Sequence, residues 1–154
     1  MKKITYTLII FFIFSSCGYT PIYSSKNSNF YIEKIKISQN DKLNRKIKKN
    51  LETFSNVDST NIIVITSKAK RTTTIITKDK KGDASRYEMK IVMDINLIYN
   101  NKEINEKKFI ASFGYKTDSN KFNLNQYEKE IENILINKII DDCIIYLAET
   151  INDN

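Results

Sequence analysis

The sequence predicts an α+β two-layer sandwich: a mixed, mostly antiparallel sheet of about four strands with two helices on one face. Three observations predict it. Tyr87, Met89, Ile91, Met93, Ile95, Leu97 and Tyr99 alternate with Glu88, Lys90, Val92, Asp94, Asn96 and Ile98, the period-two pattern of a long strand with one buried face. Leu43, Ile47, Leu51 and Phe54 recur at spacings of four, four and three, which is one stripe of a helix. Leu124, Tyr127, Ile131, Leu135, Ile139 and Tyr146 lie on one side of a second, longer helix.

Phe30 to Ile37 is rich in aromatic and β-branched residues and opens the domain as a strand. Asp41 is placed to cap the first helix, whose other face carries Lys42, Lys46, Lys48, Lys49 and Glu52. Asn61 to Thr66 is a strand whose continuous apolar run suits the inside of a sheet. Lys68, Lys70 and Arg71 interrupt it before Arg71 to Thr77 resumes in β-formers, so residues 61–78 form either one bent strand or two. Asp79 to Ser85 is the clearest loop, and Asn100-Asn101 is a hairpin turn signal after the long strand. A return strand then places Phe109, Ala111, Phe113 and Tyr115 on one face and Glu106, Lys108 and Ser112 on the other. Asn123 and Gln126 are spaced as a capping box for the last helix, which runs to about Ile151. Its second half is apolar most of the way round, through Ile139-Ile140 and Cys143 to Ala148. That wrap reads either as a compositional excess of Ile or as a second buried contact, against a partner.

The N-terminus has the three parts of an export signal: Lys2-Lys3, the apolar run Thr7 to Phe14, and small Ser15-Ser16 directly before Cys17. The apolar run is far shorter than the ~20 residues a membrane span requires. We therefore expect residues 1–16 to be a lipoprotein signal peptide and Cys17 to be lipidated. Residues 17–29, rich in Ser and Asn after the only proline, are expected to be a flexible tether, and residues 30–154 a single domain.

Composition narrows the function. Loss of Lys2 and Lys3 lowers the net charge from +7 to +5. Only three of the 25 basic residues are Arg, and the chain is saturated with Ile, Asn and Lys, as drift in base composition would produce. A basic balance suits anionic partners, and export takes nucleic acid off that list. There is no histidine, which removes Ser-His-Asp and Cys-His catalysis and the commonest zinc ligand sets. The three glycines are isolated, so there is no phosphate loop. With Cys17 acylated, Cys143 is left alone in an apolar helical stretch, where it reads as a small buried hydrophobe. No enzyme, metal or cofactor is expected beyond a covalent lipid.

Cys17-Gly18-Tyr19-Thr20-Pro21-Ile22-Tyr23 resembles the Cys-Gly-aromatic-x-Pro-Leu-Tyr start of alphaproteobacterial lipopolysaccharide-assembly lipoproteins, the LptE family, with Ile22 in place of Leu. Arg86-Tyr87 at the start of the long strand, the element order and the C-terminal helix are similar to that family as well. The resemblance implies a non-enzymatic lipoprotein of the outer membrane, anchored on its periplasmic side. Such a protein plugs the β-barrel of the lipopolysaccharide translocon, helps it assemble and assists insertion of lipopolysaccharide into the outer leaflet. An outer sheet face that mixes polar and apolar groups suits a polar barrel interior. The loop Lys78 to Arg86 carries Lys78, Lys80, Lys81 and Arg86 around Gly82, where phosphates of lipid A could be engaged; Asp79 and Asp83 would partly cancel them. Two other classes are kept: a periplasmic lipoprotein that carries lipid, which predicts a large apolar cavity, and a tethered enzyme, which predicts converging carboxylates in a cleft.

Overall fold

The computed structural model describes residues 28–100 and 102–153. The signal segment, Cys17, the tether through residue 27 and Asn101 of the hairpin turn lie outside the described residues. The elements run β1 (Tyr31–Ile37), α1 (Lys42–Glu52), β2 (Ile62–Lys78), β3 (Ala84–Tyr99), β4 (Lys102–Lys116) and α2 (Lys121–Asn152). The strands form one mixed sheet in the order β1-β2-β3-β4; β1 and β2 are parallel, and the other two pairings are antiparallel. Both helices cover one face, and the α+β sandwich is as expected.

The alternation of β3 is obeyed throughout the buried centre. Met89, Ile91, Met93, Ile95 and Leu97 are at most 1% exposed beneath the helices, and α2 supplies Ile131, Leu135 and Ile139 to the same core. β1 needs an irregularity to join them. Ile32 and Ile35 are three residues apart, yet both are buried, because the register slips between Ile32 and Lys34. One extra residue in a strand turns the following side chains over.

Residues 62–78 are one continuous strand. Lys68 and Lys70 do not break it; they point to the sheet's outer face while Ile63, Ile65, Ser67 and Ala69 point inward. β1 pairs with β2 only as far as Ser67. One residue pair further on, Asn44 of α1 stands in for the missing strand: its side-chain oxygen accepts from Ala69 N–H at 2.8 Å, and its Nδ2 donates to the Ala69 carbonyl at 3.1 Å.

Asp41 caps α1 as expected, accepting from Asn44 N–H at 2.8 Å. That backbone bond, first among the causes, holds the Asp41 carboxyl below its ordinary range. The cap of α2 differs from expectation. Asn120 is the N-cap, accepting from Phe122 N–H at 2.9 Å and Asn123 N–H at 3.3 Å, so Asn123 and Gln126 form no box. Either asparagine satisfies the spacing rule; Asp118, which accepts from Asn120 N–H at 2.8 Å, shapes the turn that selects the earlier one. The apolar wrap of α2 is likewise absorbed at home. Ile136, Ile139, Ile140, Cys143, Ile144, Leu147, Ala148 and Ile151 are all buried, because the helix is wedged between the β3–β4 half of the sheet and α1. Asn137, Lys138, Asp141 and Glu149 line the outer face together with Ile134 and Ile145, which remain 57% and 38% exposed, so most of the wrap, though not Ile145, is covered by the domain's own sheet and helix.

Candidate functional site

The two ends of the sheet differ, and the topology sets which features share an end. Where the chain enters, Ser28 and Asn29 are fastened to several elements. Asn56 Nδ2 donates to the Ser28 carbonyl at 3.0 Å, and Asn61 Nδ2 and Ser59 Oγ donate to the Asn29 carbonyl at 2.7 and 2.8 Å. Asn29 Nδ2 donates to Asn152 Oδ1 at 2.7 Å, at the last residue of α2. Phe30, fully buried, follows as an apolar plug. The tether side of the molecule therefore shares its end with the start of β2, the β3–β4 turn and the C-terminus of α2.

Lys78, Lys80, Lys81 and Arg86 lie at the other end. β2 spans 17 residues, so at ~3.3 Å per residue the two ends are roughly 50 Å apart. The loop is a built turn. Asp79 Oδ1 accepts from Lys81 N–H at 2.8 Å and Asp83 N–H at 2.9 Å, and Asp79 N–H donates to the Asp83 carbonyl at 2.8 Å. Gly82, at φ 90°, supplies the left-handed residue the turn requires. The Asp79 carboxylate is thus directed to backbone rather than to lysine. All four basic side chains are exposed, and among the described residues none has a carboxylate within ion-pair distance.

The structure adds groups that the sequence reading left out. Lys116 of β4 pairs across from Arg86 and extends the basic patch. Ile75 and Ile76 are 51% and 50% exposed beside it, and Phe122 opens α2 at 69% exposed at the same end. Ile76 Cδ1 and Arg86 Nη2 lie 3.6 and 3.9 Å from the point a Cβ on Gly114 would occupy, so a bare backbone position lets both lie flat there. Phe113, expected to face inward with Phe109, Ala111 and Tyr115, remains 40% exposed, because β4 is an edge strand with no neighbour on one side. Beneath this end Tyr115 stacks on Tyr87 at 5.7 Å and meets Tyr127 edge-on at 6.2 Å. The Tyr115 hydroxyl donates to Glu128 Oε1 at 2.6 Å; burial, then that carboxylate, holds the phenol well above its ordinary range. The distal end thus combines exposed cations and isoleucines with a tyrosine cluster on the helical face of the same strands. The exposed flank of β2 was hard to foresee, because strand parity alone does not say where the helical layer stops.

The sheet's outer face is open. Lys68 and Lys108 flank Asp94 across three strands, with Lys108 Nζ 3.5 Å from Asp94 Oδ1, and Lys34, Lys36, Lys70 and Lys90 share the face with Val64, Val92, Ile98 and Ile110. On the helical side a cleft of about 350 Å³ lies between the start of α1, the middle of β2 and α2, lined among others by Gln39, Asp41, Lys70, Arg71 and Glu132. Arg71 and Glu132 form an ion pair there, joined by Lys46 at 3.9 Å from Glu132. Among the described residues no group of three or more Cys, Asp or Glu side chains could hold a metal, and no helix is long and apolar enough to cross a membrane. Cys143 is buried and free, and burial pushes its thiol up to about 12.

The fold is similar to that of several solved bacterial lipoproteins. The chain is similar to the rare lipoprotein B of Shewanella oneidensis, with a TM-score of 0.56 and 17% identity over 76% of this chain and 95% of that one. It is also similar to a minor lipoprotein of Acinetobacter baumannii, with a TM-score of 0.58 and 10% identity over 80% and 92% of the two chains. Lipoprotein B of Nitrosomonas europaea gives a TM-score of 0.55 at 12% identity over 79% and 86%. No protein-family model matches the sequence, and no curated protein matches it.

Proposed function

We propose that this chain is an outer-membrane lipoprotein, anchored through Cys17 on the periplasmic side, that plugs and helps assemble the lipopolysaccharide translocon barrel and assists lipopolysaccharide insertion. One observation carries the reading: the end that receives the tether and the end that bears Lys78, Lys80, Lys81, Arg86 and Lys116 are opposite ends of one stiff sheet. A protein held at the inner leaflet by one end can then present cations and isoleucines roughly 50 Å further along, about the thickness of a membrane with its headgroups. The open face, with its mixed lysines and β-branched residues, suits the polar wall of a barrel lumen. The likeness in fold to bacterial lipoproteins and the start Cys17 to Tyr23 support the same reading. The lipid-carrier alternative asks for a large apolar cavity, whereas the cleft of about 350 Å³ sets Asp41, Arg71 and Glu132 beside Leu43 and Ala69.

The test is recovery of the barrel. A C-terminal affinity tag on the full chain should bring down a large outer-membrane β-barrel protein from detergent-solubilised membranes, identified by mass. The Cys17→Ser variant should lose membrane fractionation, since attachment of the protein rests on acyl chains worth ~0.8 kcal/mol per buried methylene. Purification of the chain without any barrel, from cells that contain the translocon, would remove the plug reading.

A further inference from the structure

β1 covers only the first third of β2. The pairing ends at Ser67, and Ala69 is satisfied by the Asn44 side chain. Both backbone groups of Ala69 face this side of the strand. Peptide groups in a strand alternate with period two, so Arg71, Thr73 and Ile75 turn their N–H and C=O the same way. Among the described residues nothing pairs with them, and every residue from Arg71 to Lys78 is exposed. The register irregularity after Ile75 ends the regular edge. Its centre, Thr72-Thr73-Thr74-Ile75-Ile76-Thr77, is six uncharged β-formers in a row. Exposed edges invite another strand unless charge, proline or a bulge blunts them; here the charges and the register irregularities stand at the two ends of the run and leave Thr72 to Ile75 regular and uncharged. The cleft of about 350 Å³ at Arg71 and Glu132 opens at the foot of this edge.

We propose that the β2 edge from Arg71 to Ile75 is a strand-addition site for an extended, acidic segment of a partner protein. Charge selects that occupant. Lys68, Lys70 and Arg71 stand at one end of the uncharged run, and Lys78, Lys80 and Lys81 stand at the other. A second copy of this chain paired antiparallel about Thr73 would bring its Lys78, Lys80 and Lys81 towards Lys68, Lys70 and Arg71 of the first, and the reverse, crowding like charges at both ends of the ladder. A strand bearing Asp or Glu gains at both ends. The inference rests on the edge itself and not on the lipopolysaccharide reading.

Residue-resolved amide hydrogen exchange on the full chain in detergent tests it, with two probes: an end-blocked octapeptide alternating Glu and Val, and its Lys–Val counterpart. The Glu–Val peptide should slow exchange at Arg71, Thr73 and Ile75 by roughly tenfold or more, less so in high salt; the Lys–Val peptide should leave it unchanged. Thr73→Pro removes one edge-facing N–H, at a position where an edge strand tolerates proline, and should abolish the protection. Thr73→Val keeps that N–H and should retain it. Slow exchange at Ile95 and Leu97 reports that each variant is folded, and Ile75→Pro serves if Thr73→Pro is not. Equal protection by both peptides, or none by the Glu–Val peptide at millimolar concentration, overturns the proposal. So does edge protection that appears without peptide and grows with protein concentration, which would make a second copy the occupant.

Discussion

Asn44 shows how one side chain can finish a sheet. It sits in the first turn of α1 at zero exposure, beside the stripe of Leu43 and Ile47, where an apolar residue would be expected. Its amide answers both backbone groups of Ala69, and Nδ2 also reaches the Asp41 carboxylate at 3.0 Å. Asn44→Ala should therefore leave a buried N–H and C=O unpaired, at about 1–3 kcal/mol each. Asn44→Leu, which refills the volume, should not restore the loss. Chemical denaturation of the two variants measures this, and a midpoint equal to that of the parent would mean that water replaces the amide. Cys143 makes a second prediction, in pH. Burial raises its thiol from 9.0 to about 12 in the folded chain. A group whose folded value is raised contributes stability that is complete below the unfolded value and is lost as pH rises towards the folded one. The parent should thus lose stability between about pH 9 and 12 more steeply than Cys143→Ala. Comparison of the pair cancels the alkaline contributions of Tyr115 and the lysines.

At the scale of elements, β3 is the spine, paired along both sides and buried on its odd face. Ile95→Ala should cost ~2–5 kcal/mol, while Val92→Ala, half-covered on the open face, should cost much less. Equal losses in thermal melts would reveal a second layer over the outer face. The alternation of β3 was legible because both its environments are uniform from Met89 to Tyr99. β2 was not legible as one strand because its environment changes midway. Up to Ser67 it has a strand on each side and helices above; beyond Arg71, which still reaches Glu132 of α2, it has neither β1 nor helical cover, and Thr and Ile there obey no burial pattern. The wide apolar wrap of α2 left two readings open for a related reason. A helix that touches a sheet on one flank and another helix on the other buries well over the usual stripe, so breadth alone does not signal an external partner. The slip in β1 was invisible in the sequence, since Ile32 and Ile35 at a spacing of three look as helical as they look extended.

Over the whole molecule, function depends on which features share an end, and that is a property of topology rather than of composition. The basic loop was readable from Lys78, Lys80, Lys81, Arg86 and Gly82. Its distance from the tether was not, because that requires β1 and β2 to run parallel from the same end. Nor was the company it keeps, since Lys116, Ile75 and Ile76 join it only through the pairing of β2, β3 and β4. The resulting patch has cations that lack carboxylate partners among the described residues. Replacing Lys80, Lys81 and Arg86 together by Gln should therefore weaken binding of the full chain to lipopolysaccharide without changing its melting. It should also flatten the salt dependence of that binding, because exposed charges are screened over ~8–10 Å at moderate ionic strength. Ile75→Ser with Ile76→Ser should weaken binding as well but leave the salt dependence as it was, since only apolar area is lost. If the Gln variant binds as tightly as the parent at low salt, the loop is not the contact, and the plug role would then rest on assembly of the barrel alone.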